Sequence, residues 1–218
     1  MTEQTLVAAT GNPHKLEEIR AVLAPLGVDV LGLNDAGGPF PEPDEIGDSF
    51  EANATIKARA YAAATGRPCM ADDSGLEIDA LGGRPGVISS HYAADGGPDD
   101  RPRAERDAAN NARVLDELRG VPESDRTARF VCCMVVCDPD GTILHTALGT
   151  FEGRIGTPPR VPSGEHGFGY DPLFLVGLGQ VDPERARTAA ELDPSEKAAR
   201  SHRGEALRLL VERMRAST

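Results

Sequence analysis

With 218 residues, the chain is long enough for one large or two small domains with a sizeable core. An apolar content of 39% and a charged content of 27% place it in the globular class, and no apolar run approaches the ~20 residues that a membrane helix needs. The net charge of −12 excludes general affinity for a nucleic-acid backbone; a small anion would need a bound cation and locally gathered lysines and arginines.

The opening Met1-Thr2-Glu3-Gln4 has neither a basic start nor an apolar signal region, so a cytoplasmic location is expected. Cys69, Cys132, Cys133 and Cys137 form no Cys-x-x-Cys pair. They read as core thiols in a reducing compartment rather than as a zinc site.

Thr5 to Thr10 is a short apolar run and is expected to be the first strand. Gly11-Asn12 turns the chain, and Pro13 opens a helix to about Leu26, with Asn12 as its N-cap. Leu16, Ile19, Leu23 and Leu26 give that helix an apolar face, and Gly27 ends it. Val28 to Leu33 reads as a second strand, and Asn34 to Gly47 as a loop holding Glu42, Asp44 and Glu45. A helix is expected from about Ser49 to Thr65, with Gly66 as its stop. Cys69 to Ala71 reads as a strand ending in a sharp polar turn at Asp72-Asp73-Ser74-Gly75, with a further strand from Leu76 to Asp79.

Residues 82 to 101 are rich in turn formers, and Arg103 to Leu118 reads as a helix. Thr127 to Asp138 and Thr142 to Phe151 flank Pro139-Asp140-Gly141, a hairpin signal. A glycine loop at Ser163 to Gly167 leads into Phe168-Gly169-Tyr170-Asp171-Pro172, and a strand follows from Leu173 to Val176. A short helical piece near Pro194 to Arg200 precedes Ser201-His202-Arg203-Gly204. The last helix is expected from about Glu205 to Arg215, with Leu207, Leu210, Val211 and Met214 facing inward. This order of elements is mixed α/β in one unit spanning residues 1–218, with room for two lobes.

Four stretches carry chemistry. Two carboxylates, Asp72 and Asp73, at a strand end suit a hard divalent cation or the removal of a proton from water. Thr10-Gly11-Asn12-Pro13-His14-Lys15 joins a strand to a helix N-terminus, where backbone N–H groups and the helix dipole favour phosphate. Lys15 opposes that dipole, which makes sense for a lysine that meets an anion. The Walker pattern is absent. Phe168, Gly169, Tyr170 and Asp171 combine aromatic and carboxylate groups that could stack a base and accept from its N–H groups. Lys197, His202 and Arg203 gather donors that could read a base carbonyl or hold phosphate.

Five motifs occur in order: Thr10-Gly11-Asn12 with Lys15; Asp72-Asp73-Ser74-Gly75-Leu76; Leu81-Gly82-Gly83-x-Pro85-Gly86; Gly167-Phe168-Gly169-Tyr170-Asp171-Pro172; and Ser201-His202-Arg203-Gly204. Together they resemble the inosine triphosphate pyrophosphatase family of the Ham1/RdgB type, from Thr5 to about Met214. The resemblance implies a long mixed sheet flanked by helices, with two lobes enclosing a nucleotide cleft, and a homodimer. It implies hydrolysis of dITP, ITP and XTP to the monophosphate and pyrophosphate, with Mg²⁺.

By the same resemblance, Thr10, Gly11, Asn12 and Lys15 bind phosphate, and Asp73 is general base and Mg²⁺ ligand. Asp72 is a helper at the metal, and Ser74 contacts substrate. Phe168, Gly169, Tyr170 and Asp171 bind the base, and Lys197, His202 and Arg203 select it. An acidic metal ligand is also implied in the loop before the second helix; Glu42, Asp44 and Glu45 compete for it, and Glu45 is favoured. His166 departs from a family glycine. Other readings are a pyrophosphatase for a different modified base, a silent nucleotide-binding module, and an aspartyl-phosphate phosphatase built on Asp72-Asp73.

Overall fold

The computed structural model describes residues 4–11, 13–177 and 186–216. It is mixed α/β. Six strands form one sheet in the order β2-β1-β3-β4-β5-β6. They are β1 (Gln4–Ala8), β2 (Val28–Gly32), β3 (Cys69–Ile78), β4 (Thr127–Cys137), β5 (Ile143–Ile155) and β6 (Phe174–Leu175). Five helices accompany them: α1 (Pro13–Leu23), α2 (Phe50–Thr65), α3 (Arg103–Glu117), α4 (Pro194–Arg200) and α5 (His202–Ala216).

The chain folds into two compact units. The first comprises residues 1–74, 132–149 and 203–218. In it, β1 pairs in parallel with β2, from Gln4 opposite Val28 to Ala8 opposite Gly32. On its other side β1 pairs in parallel with β3 at Val7–Cys69 and Ala8–Met70. Its core joins Ile19 and Leu23 of α1, Met70 of β3, Cys132, Met134 and Val136 of β4, and Leu207, Leu210 and Val211 of α5. All four cysteines are free and buried, as their apolar setting suggested.

The second unit comprises residues 75–131 and 150–202. Its core gathers Leu76, Ile78, Tyr92, Val114, Leu118, Phe130, Tyr170 and Phe174. There β5 and β6 run antiparallel, with Arg154 opposite Leu175. The segment Gly86–Ala94, expected only as turns, coils into 3₁₀ turns with a kink at Ile88 and His91.

Three expectations need correction. The first helix stops at Leu23, and Ala24–Leu26 tighten into a 3₁₀ turn. Pro25 accounts for this, because it lacks an N–H and its ring crowds the preceding turn. More consequential is Asp72-Asp73-Ser74-Gly75, which forms no turn. It continues β3 as extended strand through Ile78. The composition argues for a turn, yet each aspartate finds fixed cations on its own side, so the extended backbone is retained. The last helix also starts earlier than expected, at His202, so Arg203 lies in its first turn.

Candidate active site

Successive side chains on a strand point to opposite faces. Because β3 runs straight through Asp72 and Asp73, the two carboxylates face different partners. Asp72 receives Lys15 Nζ at 3.2 Å and Arg203 Nε at 3.4 Å. Burial works against its charge, but Lys15, Arg203 and Lys57 outweigh burial and hold its pKa down to about 2. Arg203 Nη2 also donates to Ser74 Oγ at 3.2 Å. Lys15 reaches this point from the first turn of α1, which follows directly on β1. Thr10 and Gly11 lie in that connection, whereas Asn12 lies outside the described residues.

Asp73 meets a different set. Lys57 Nζ of α2 donates to Asp73 Oδ1 at 3.2 Å and lies 3.1 Å from Glu45 Oε2. Asn53 Nδ2 donates to Asp73 Oδ2 at 3.3 Å, and Asn53 Oδ1 accepts from the N–H of Gly47 at 2.7 Å. Asn53 thereby ties the acidic loop to the strand. Of Glu42, Asp44 and Glu45, it is Glu45 whose carboxylate reaches Lys57. Burial pushes the Asp73 carboxyl up to about 6; Lys57 opposes that shift and Glu45 adds to it. Lys57 keeps its charge, because Asp73 and Glu45 overcome the cost of its burial.

The set Glu45–Lys57–Asp73 bears on whether a divalent cation fits. Two carboxylates converge on one position where an ammonium now stands, and every donor is a hard oxygen. Among the described residues, no three His, Cys, Asp or Glu side chains gather to hold a metal by themselves.

In the second unit, Phe168 stands 52% exposed. Arg103 Cζ lies 4.6 Å and Lys197 Nζ 5.2 Å from its ring centroid. Asp171 is buried; its Oδ2 accepts from the N–H of Phe168 at 2.8 Å and pairs with Lys197. Asp171 therefore braces the loop and orients Lys197. Tyr170 is buried, and its hydroxyl donates to the Ser89 carbonyl at 2.7 Å. His202 stacks on Phe130 with centroids 5.2 Å apart.

The model of the Ham1 family matches residues 6–213 of this sequence. The chain belongs to the Ham1 family. A dITP/XTP pyrophosphatase of Nitratidesulfovibrio vulgaris is 50% identical over 212 residues, covering 97% of this chain and 96% of that one. Another protein of that name, from Exiguobacterium, is 49% identical over 205 residues, covering 94% of each chain. A HAM1 protein structure from Coxiella burnetii superposes with a TM-score of 0.82 at 39% identity, covering 98% of this chain and 99% of that one.

Sequence reasoning on this Ham1 chain passed over Lys57 and Asn53, although a signal was present. Phe50, Asn53, Ala54, Lys57, Ala58 and Tyr61 follow three- and four-residue spacing along α2, and most of them are buried. Two polar residues on an otherwise apolar stripe are the informative exception. Asp107 and Asn111 of α3 were also missed; both bond to Gly169.

Proposed function

We propose that this chain is a nucleoside triphosphate pyrophosphohydrolase that converts dITP, ITP and XTP to the monophosphate and pyrophosphate, clearing deaminated purines from the nucleotide pool. The observation that carries this reading is the convergence of Glu45, Lys57 and Asp73 in the unit that also holds Lys15 and Arg203 on Asp72. Those groups provide paired oxygens for a hard cation and fixed positive charge for phosphate. The names of the relatives support the substrate class.

In this reading Glu45 and Asp73 would hold Mg²⁺ together with substrate phosphates. When bound, Mg²⁺ supplies charge neutralisation at the phosphoryl oxygens and orients water. Asp73 accepts the proton of the attacking water, and its raised pKa suits a base working near neutrality. Lys57 keeps the two carboxylates at one point and meets the phosphate charge as it arrives. Lys15, Thr10, Gly11 and Asn12 bind the leaving pyrophosphate, with Lys15 poised by Asp72. Ser74 contacts substrate and steadies Arg203.

Base selection follows from hydrogen-bond sense. Phe168, Gly169, Tyr170 and Asp171 form the platform for the purine ring. Lys197, His202 and Arg203 donate to the 6-carbonyl of hypoxanthine or xanthine. Adenine presents a donor there, and a buried mismatch of that kind discriminates by orders of magnitude. We further propose a homodimer acting in the cytoplasm. No described helix is long and apolar enough to cross a membrane.

Hydrolysis of ITP with Mg²⁺ in ¹⁸O-labelled water, with ATP and GTP in parallel, tests the reading. Label in IMP, released pyrophosphate and slow turnover of ATP and GTP are expected. Label in pyrophosphate would move the attack to the β-phosphorus, and intact triphosphates would discard the enzyme.

A further inference from the structure

Arg103, Asp107 and Asn111 recur at four-residue steps on α3 and so share one face of the helix. All three meet the Phe168-Gly169 dipeptide. The Arg103 guanidinium lies over the Phe168 ring. Asp107 Oδ2 accepts from the Gly169 N–H at 3.0 Å, and Asn111 Nδ2 donates to the Gly169 carbonyl at 3.0 Å. One residue is thus gripped at both its backbone donor and its backbone acceptor by side chains one helical turn apart.

The grip has a physical purpose. Gly169 sits at φ 62°, a conformation glycine enters freely and leaves as freely. Its neighbours are fixed: the Phe168 N–H is bonded to Asp171 and the Tyr170 hydroxyl to Ser89. Asn111 Oδ1 is buried and, among the described residues, has no hydrogen-bond partner. An orphaned buried oxygen is costly, and the bond that the amide nitrogen makes to Gly169 offsets part of that cost. Of the two rings that flank Gly169, Tyr170 is buried and Phe168 stays half-exposed. A ring braced through every adjacent peptide and yet not packed away is an aromatic surface held ready for a flat partner.

We propose that Asp107 and Asn111 are positioning residues that lock Gly169 and thereby fix the Phe168 ring as the stacking surface for a purine base. This rests on the nucleotide reading above. The two residues act on recognition of the base and not on the phosphates.

The test compares wild type, Asp107→Ala, Asp107→Asn and Asn111→Ala with Mg²⁺. Readouts are kcat and KM for ITP and Ki for inorganic tripolyphosphate, which has the phosphates and no base. Each alanine variant is expected to raise KM for ITP about tenfold, with kcat within about twofold, as for one lost hydrogen bond. The Ki for tripolyphosphate should not change. Asp107→Asn, whose amide oxygen still accepts from Gly169, should recover most of the loss. If Asn111→Ala folds poorly, Asn111→Ser reads the same contact.

A parallel rise of KM and Ki, an unchanged KM, or an Asp107→Asn as impaired as Asp107→Ala would overturn the proposal while leaving the enzyme reading intact. Wild type that leaves ITP intact would overturn both.

Discussion

The proposed mechanism requires Asp73 to be buried, charged and basic at once. The residue is 9% exposed, and burial raises its pKa to about 6, above the ordinary 3.8. As a base it must be ionised, so kcat/KM for ITP should fall about tenfold per pH unit below about 6. Stability carries the opposite sign. A raised pKa stabilises the fold fully below 3.8, and that contribution is lost as pH rises through about 6. Asp72, held at about 2, stabilises above 3.8 and loses that contribution as pH falls toward 2. A rate profile flat between pH 5 and 8, measured by pyrophosphate release, would take Asp73 out of the mechanism.

Asp73→Asn should keep the fold, with circular dichroism unchanged, and lose about 10²- to 10⁴-fold in turnover. Arg203→Ala should narrow the ratio of ITP to ATP turnover by about tenfold or more. Since Arg203 also bonds Asp72 and Ser74, its loss should raise KM as well.

At the scale of elements, strand β3 carries both carboxylates on which the proposed chemistry rests. The residues Asp72-Asp73-Ser74-Gly75 look like a turn because each favours one. As a continuous strand they send two adjacent carboxylates to opposite sides, and that geometry cannot be read from composition. The strands and helices with clear periodicity, such as α2 and α5, were legible. The end of α1 was not, because Pro25 acts against a leucine pattern that would have continued. In α2 the site residues sit inside the packing pattern, so Lys57 and Asn53 read as ordinary helix positions.

Gly47 shows the cost of disturbing this joint. A Cβ there would lie 2.6 Å from Asn53 Oδ1 and 2.7 Å from Ala52 Cβ. Gly47→Ala should therefore cost about 1–3 kcal/mol through strain and the lost Asn53 bond. The melting temperature should drop and, because Glu45 is two residues away, activity should drop with it. An alanine variant with wild-type melting and rate would show that the loop yields freely.

At the scale of the molecule, a protein of net charge −12 must bind a triphosphate. Lys15, Lys57 and Arg203 offset this locally, but each already serves a carboxylate. In the proposed mechanism a divalent cation adds positive charge to theirs. EDTA should abolish ITP hydrolysis, and added Mg²⁺ should restore it; full turnover in EDTA would remove the metal from the account. The family and the mixed α/β class were legible in the motif order. The division of labour between Asp72 and Asp73 was not, since it depends on strand facing.

All four thiols lie in the unit formed by residues 1–74, 132–149 and 203–218, and the other unit has none. Each is buried, and burial pushes the Cys69 thiol up to about 12 and the Cys133 thiol up to about 11. An alkylating reagent can reach them only when that unit opens. The chain thus carries a native chemical clock for one half of itself: the rate at which it gains alkyl mass counts the openings of that unit, while the cysteine-free unit stays silent in the same spectrum.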